Sequence, residues 1–210
     1  AACTGTAGLA GFGGAATARF FASHGLADAE VLALVRSREG HYATLVPALP
    51  PRFRRLSDGA TLRIGGRDWL CISGQGHSPD HMALYCVELG VLVSGDMVLP
   101  RISTNISVYD IEPEADPMSD WLASIDKLRR LVPDDVLVLP SHNEPFTGLH
   151  ERLDALAAGQ AEALASLRRA LQTPRRVVDC FESLFRRPIT EAKTALLGMA
   201  TGEAQACLNH

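Results

Sequence analysis

The chain has 210 residues, 47% of them hydrophobic and 21% charged, with a formal net charge of −4. That length allows one sizeable core, with room for a small second unit. The slight acidity excludes a general binder of nucleic acid or of a membrane surface, though not a local basic patch. No apolar run reaches the roughly 20 residues that a spanning helix needs.

The five cysteines, Cys3, Cys71, Cys86, Cys180 and Cys207, are scattered and form no CxxC pair. Neither a zinc ribbon nor a disulfide framework is indicated. Cys71 and Cys86 sit in apolar strand-like runs and read as small core residues. The opening stretch AACTGTAGLAGFGG lacks the basic region and long apolar segment of a signal peptide, so a cytoplasmic protein with reduced cysteines is expected. Residue 1 is Ala, and the final GEAQACLNH reads as helix without a stop signal. Both ends therefore read as cut, and a fragment is expected.

In chain order, AATARFFASHGL predicts a short helix with an apolar face through Ala16, Phe20 and Phe21, ended by Gly25. Asp28 precedes a second short helix closed by Gly40. The segment VPALPPRF is a proline-rich connector that cannot be a regular helix. TLRIGGRDWLCISG then predicts two strands around Gly65-Gly66, a pair suited to a tight hairpin. HMALYCVELGVLVSGD predicts another strand pair, turning at Glu88-Leu89-Gly90. The unbroken apolar run Val91-Leu92-Val93 predicts a strand covered on both faces.

A long loop follows, and Asp116-Pro117 marks the start of a helix. Its apolar stripe is Met118, Trp121, Leu122, Ile125 and Leu128. DVLVLP is a further strand, with SHNEPF as the loop beyond it. From Leu149 to about Leu171 a long helix carries leucines on one face, and Pro174 ends it. The remainder reads as helical, with basic elbows at Arg175-Arg176 and Arg186-Arg187.

Three polar residues share one placement. His77 follows the strand WLCIS, Asp96 follows VLVSG, and His142 follows VLVLPS. In layered α/β folds the loops at strand ends converge on ligands, because the scaffold beneath them is rigid. Two imidazoles and a carboxylate suit zinc or a similar first-row ion, and a carboxylate can bridge two ions. Each residue also has a plainer reading: a surface histidine, a Gly-Asp turn, a helix-capping segment. The joint pattern carries more than any single member.

The order GHSPDH … SGD … PSHNEPF resembles the C-terminal half of a metallo-β-lactamase-fold hydrolase of the glyoxalase-II-like kind, over roughly residues 51–150. The resemblance implies an α/β fold, the C-terminal half of a four-layer αββα sandwich, with a helical N-terminal segment and a helical C-terminal tail. Three parts are expected: 1–50, a helical and loop segment of the hydrolase domain; 51–147, the C-terminal half of that domain; and 148–210, a truncated winged-helix-like unit. By resemblance, His77 binds one metal, Asp96 bridges both, and His142 binds the other. The implied cofactor is a pair of divalent ions, zinc or else iron or manganese. His81 takes the place of a supporting second histidine, while Arg101, Asn105 and Tyr109 lie in the loop after Asp96 and could face substrate. Here Asp80 precedes His81 where Gly is usual, and Ser-His-Asn replaces Gly-His-Gly.

The family's HxHxDH motif is absent, and His24, His41, His150 and His210 stand isolated. No catalytic residue is therefore assigned. The family mechanism uses two metals to activate water and clamp the attacked group, whereas an open zinc site normally keeps three protein ligands. This chain is accordingly expected to bind metal weakly, to hydrolyse little on its own, and to leave an apolar sheet face and strand edges exposed. The implied substrate is a small-molecule ester or thioester. No membrane partner is expected, nucleic acid is disfavoured, and a homo-oligomer is compatible with the reading. Two rival readings are a metal-free binding or structural relative and an RNA-acting nuclease of the same fold.

Overall fold

The computed structural model describes residues 13–40, 52–185, 189 and 194–210. Most of the proline-rich connector, together with Cys3, His41 and Arg186-Arg187, lies outside the described residues. The chain divides into two units, one of Ala1–Arg54, Ser107–Ala115 and Ser166–Asn209, the other of Arg55–Ile106, Asp116–Ala165 and His210.

The second unit is built on a five-stranded sheet in sequential order: β1 (Thr61–Ile64), β2 (Arg67–Gly74), β3 (His81–Cys86), β4 (Val91–Gly95) and β5 (Leu137–Pro140). The first four pair antiparallel, and β5 joins β4 in parallel. Gly65 and Gly66 turn β1 into β2 at φ 58° and 78°, the left-handed pair that a two-residue hairpin requires. The link from β4 to β5 runs through a helix, Pro117–Leu131. Its start is set by local chemistry: the Asp116 carboxylate accepts from the Ser119 N–H, and Pro117 occupies the first turn.

That helix covers one face of the sheet. Ile72, Ala83, Tyr85, Leu92, Ser94 and Val138 are buried on it. Gly74 faces the helix so closely that an added Cβ would overlap the Met97 methyl group and sit 3.4 Å from Ser124 Cβ. Ser124 Oγ accepts from the Gln75 N–H at 2.8 Å and donates to the Asp120 carbonyl. Lys127 Nζ reaches Asp58 Oδ1 (2.6 Å) and the Ser73 carbonyl (3.0 Å), pinning the same helix to β2.

The opposite face is apolar and partly open. Trp69, Met82, Leu84, Val91, Val93 and Leu139 are half-buried on it and Leu137 is exposed, whereas Cys71 and Cys86 are fully buried. The two-sided burial expected of Val91-Leu92-Val93 is thus corrected. Only Leu92 is enclosed, because the helix packs on its side of the sheet. The long helix Leu149–Ala170 buries Leu149, Leu153, Leu156 and Leu167, while Leu171 lies beyond its last turn and is exposed.

In the helical unit, α1 (Ala15–Ser23) and α2 (Ala29–Ser37) form a pair, so the helices of the sheet unit are α3 (Pro117–Leu131) and α4 (Leu149–Ala170, which ends in the helical unit). The Asp28 carboxylate accepts from the Glu30 and Val31 N–H groups and starts α2. The buried face of α1 is Thr17, Ala18, Phe20 and Phe21; Ala16, expected there, is exposed. Thr17 is tolerated inside because its hydroxyl donates to the Gly13 carbonyl at 3.0 Å. After α4 come a 3-10 turn (Val177–Cys180), α5 (Phe181–Leu184) and α6 (Thr194–Asn209). Gly202 lets α6 approach the 107–115 segment, where the Val108 N–H donates to the Gly202 carbonyl at 3.0 Å. Of the described basic elbow, Arg176 is paired with Asp179, and Arg175 Nε donates to the Ala170 carbonyl.

Candidate metal centre

The three loop-end residues meet beyond one end of the sheet. Strands β4 and β5 run parallel with their C-terminal ends adjacent, and the Ser141 N–H donates to the Gly95 carbonyl at 3.1 Å. Backbone pairing therefore makes Asp96 and His142 neighbours. His77 arrives from the end of β2 over Gly76, which has φ 98° and whose added Cβ would strike Trp121 Cβ. A side chain at Gly76 would push the loop off α3 and His77 with it.

Asp96 stands between the two imidazoles. His142 Nε2 lies 3.3 Å from Asp96 Oδ1, and His77 Nε2 lies 3.7 Å from Asp96 Oδ2. The side chains of His77 and Asp96 are 29% and 33% exposed and that of His142 is 64% exposed, so the group opens to solvent on the His142 side. His77 Nδ1 is 2.8 Å from the Asn105 carbonyl. A carbonyl only accepts, so Nδ1 carries a proton and Nε2 is the ring nitrogen turned toward Asp96. Such a fixed tautomer is what a metal-binding histidine needs. The donor types suit a divalent first-row cation. Among the described residues, however, no group of three or more His, Cys, Asp and Glu side chains is arranged to hold one ion. Each imidazole instead addresses a different oxygen of one carboxylate.

The segment after Asp96 frames the group. Thr104 Oγ1 donates to the Asp96 carbonyl, and Arg101 pairs with Glu144, two residues beyond His142. A hydrogen bond from its own backbone N–H, and after it the Arg101 guanidinium, hold the Glu144 carboxyl below the usual range. Asn143 takes φ 67°, a left-handed conformation that Asn tolerates better than most residues. This explains how Asn can stand where the resembling family has Gly. The sequence does not mark Thr104, which belongs to no motif, and Glu144 lies within PSHNEPF without any sign there of its partner Arg101.

His81 sits at the start of β3, and its ring packs on Gly95, whose added Cβ would lie 2.5 Å from His81 Nε2. Its Nδ1 is buried without a hydrogen-bond partner among the described residues. Burial holds this imidazole below its ordinary pKa; the nearby His77 adds to the shift and Asp96 opposes it. Asn105 contributes its backbone carbonyl, and Arg101 its bond to Glu144. Tyr109 belongs to the helical unit, where burial pushes its phenol up.

The metallo-beta-lactamase superfamily model matches residues 10–142, so the likeness begins upstream of residue 51 and takes in the paired helices α1 and α2. A crystal structure of a beta-lactamase domain protein from Burkholderia ambifaria is 45% identical, with a TM-score of 0.83 over 90% of this chain and 54% of that one. A metallo-beta-lactamase family protein from Thermus thermophilus is 27% identical, with a TM-score of 0.71 over 92% of this chain and 57% of that one. The curated "Probable metallo-hydrolase YqjP" of Bacillus subtilis is 26% identical over 141 residues, 65% of this chain and 43% of that protein. The chain thus spans about half the length of the relatives it matches. Members of this superfamily typically bind divalent metal ions. The mixed α/β architecture and the match over residues 10–142 agree, and the chain belongs to the metallo-beta-lactamase superfamily.

Proposed function

We propose that this chain carries the second half of a dinuclear metal-dependent hydrolase centre that cleaves a thioester or ester. The observation that carries the reading is Asp96, with one imidazole facing each of its carboxylate oxygens. His77 would hold one divalent ion, His142 the other, and Asp96 both. Bound there, the ions would supply Lewis acidity toward a carbonyl oxygen and toward water. The chain's own residues have narrower tasks. Asn105 holds His77 in one tautomer, Thr104 tethers the backbone of Asp96, and the Arg101–Glu144 pair ties the His142 loop to the segment after Asp96. In the intact protein, HxHxDH ligands from outside these 210 residues would complete the centre, and this chain alone would hydrolyse little. The helical tail after α4 is read as the start of a winged-helix-like unit.

Zinc content and hydrolysis of a thioester panel, measured on a chain extended to the length of its relatives and on its Asp96→Ala variant, test the reading. Stoichiometric zinc and turnover, both lost in the variant, are expected. An extended chain without zinc would sink the assignment. It would also favour the metal-free relative.

A further inference from the structure

Arg152 lies in the first turns of α4, three residues after the buried Leu149. Its guanidinium is half-buried and points at backbone: Nε donates to the Leu99 carbonyl at 2.6 Å and an Nη to the Ile102 carbonyl at 2.9 Å. No carboxylate pairs with it among the described residues, and burial holds its pKa below the ordinary value. A cation that is partly removed from water and spent on two carbonyls fixes the course of a chain segment rather than neutralising a charge.

The segment so fixed is the one that frames the metal centre. Within it, Arg101 reaches Glu144, two residues beyond His142, Thr104 bonds the Asp96 carbonyl, and the Asn105 carbonyl accepts a hydrogen bond from His77 Nδ1. Each of the three candidate ligands, or the loop that bears it, is touched by a residue lying between or just beyond the two clamped carbonyls. We infer that Arg152 is a positioning residue: by clamping residues 99–102 from α4, it sets the 101–105 segment that orients His77, Asp96 and His142. This rests on the metal-centre reading for its purpose, though not for its geometry.

The test compares Arg152→Met, Arg152→Lys and Leu156→Ala in the full-length protein. Lysine keeps the charge but lacks the planar fork that reaches two carbonyls at once. Leu156→Ala disturbs the same helix through its core contact and serves as the comparator. Two readouts are taken on variants shown to be folded by circular dichroism: the His77 tautomer in metal-free protein, by long-range nitrogen-15 NMR, and the zinc affinity, by competition with a chromophoric chelator. In Arg152→Met the Nδ1–H tautomer should give way to a tautomer mixture and zinc affinity should fall about 10–100-fold, as for other residues that orient a ligand. Arg152→Lys should fall between it and the wild type, and Leu156→Ala should match the wild type in both. A wild-type tautomer in folded Arg152 variants, or an equal change in Leu156→Ala, would overturn the inference. If the wild-type protein itself takes up no zinc, the metal-centre reading fails, and the NMR comparison alone decides the role of Arg152. Should Arg152→Met not fold, Arg152→Lys decides by the same two readouts.

Discussion

Replacing Gly95 with alanine tests how the fold places Asp96. Gly95 ends β4 at φ 55°, and the His81 ring occupies the space where a Cβ would go, with Nε2 at 2.5 Å and Cε1 at 3.1 Å. Two costs add. An L-residue in the left-handed region loses about 1–2 kcal/mol, and forcing a methyl group against a half-buried ring costs about 1–3 kcal/mol. The ring cannot swing away freely, because its Nδ1 is enclosed. Gly95→Ala should therefore lower the unfolding free energy in urea by about 2–5 kcal/mol. The two costs separate in a double-mutant cycle with His81→Ala: the steric part should vanish in the double variant, a coupling of about 1–3 kcal/mol, while the backbone part persists. A single substitution costing under about 0.5 kcal/mol, the size of an ordinary surface change, or a cycle with no coupling, would refute the packing argument.

Lys127→Met should cost about 1 kcal/mol, since it removes hydrogen bonds to Asp58 and the Ser73 carbonyl that a half-exposed pair supports only weakly. The Lys127 bond holds the Asp58 carboxyl below its ordinary range. The Asp58 part of that contribution should be present above pH about 4 and fade as pH falls through the lowered value, so urea curves of wild type and variant should draw closer in acid, the Ser73 carbonyl bond remaining. Asn143→Gly should leave stability unchanged or slightly raised and Asn143→Val should lower it by about 1–2 kcal/mol, because only the second strains a left-handed residue. Trp121→Ala should cost about 3–5 kcal/mol, as truncation of a fully buried indole does. Trp121→Phe should cost much less, since the indole N–H has no hydrogen-bond partner to lose among the described residues; thermal melts compare the two.

The sheet and the convergence of His77, Asp96 and His142 were legible because local chemistry dictates them. Gly65-Gly66 turns one hairpin, Asp116-Pro117 starts α3, and each polar residue lies just beyond the end of an apolar strand. What the sequence hid was sidedness. Val91-Leu92-Val93 looks alike at all three positions, and only the seat of α3 decides that Leu92 alone is enclosed. Ala16 likewise yields its inward place to Thr17, whose hydroxyl is satisfied by a carbonyl one turn back. Arg152 did leave a trace, a charge set between Leu149 and Leu156 on an otherwise apolar stripe, but its partners are backbone carbonyls far along the chain and carry no residue signature. Tyr109 follows Asp96 closely in sequence yet belongs to the helical unit, a division that proximity along the chain conceals.

The parallel pairing of β4 with β5 also orders events in time. Strands β1 to β4 pair with sequence neighbours, so short loop closures bring Gly74, His81 and Gly95 together early. β5 reaches β4 only where the chain crosses back past α3, a non-local closure that contact order makes the slower kind of step. His77 and His142 both depend on α3, the first through Gly76 packed against Trp121 and the second through the crossover to β5, so neither side of Asp96 is furnished with its imidazole until that helix is seated.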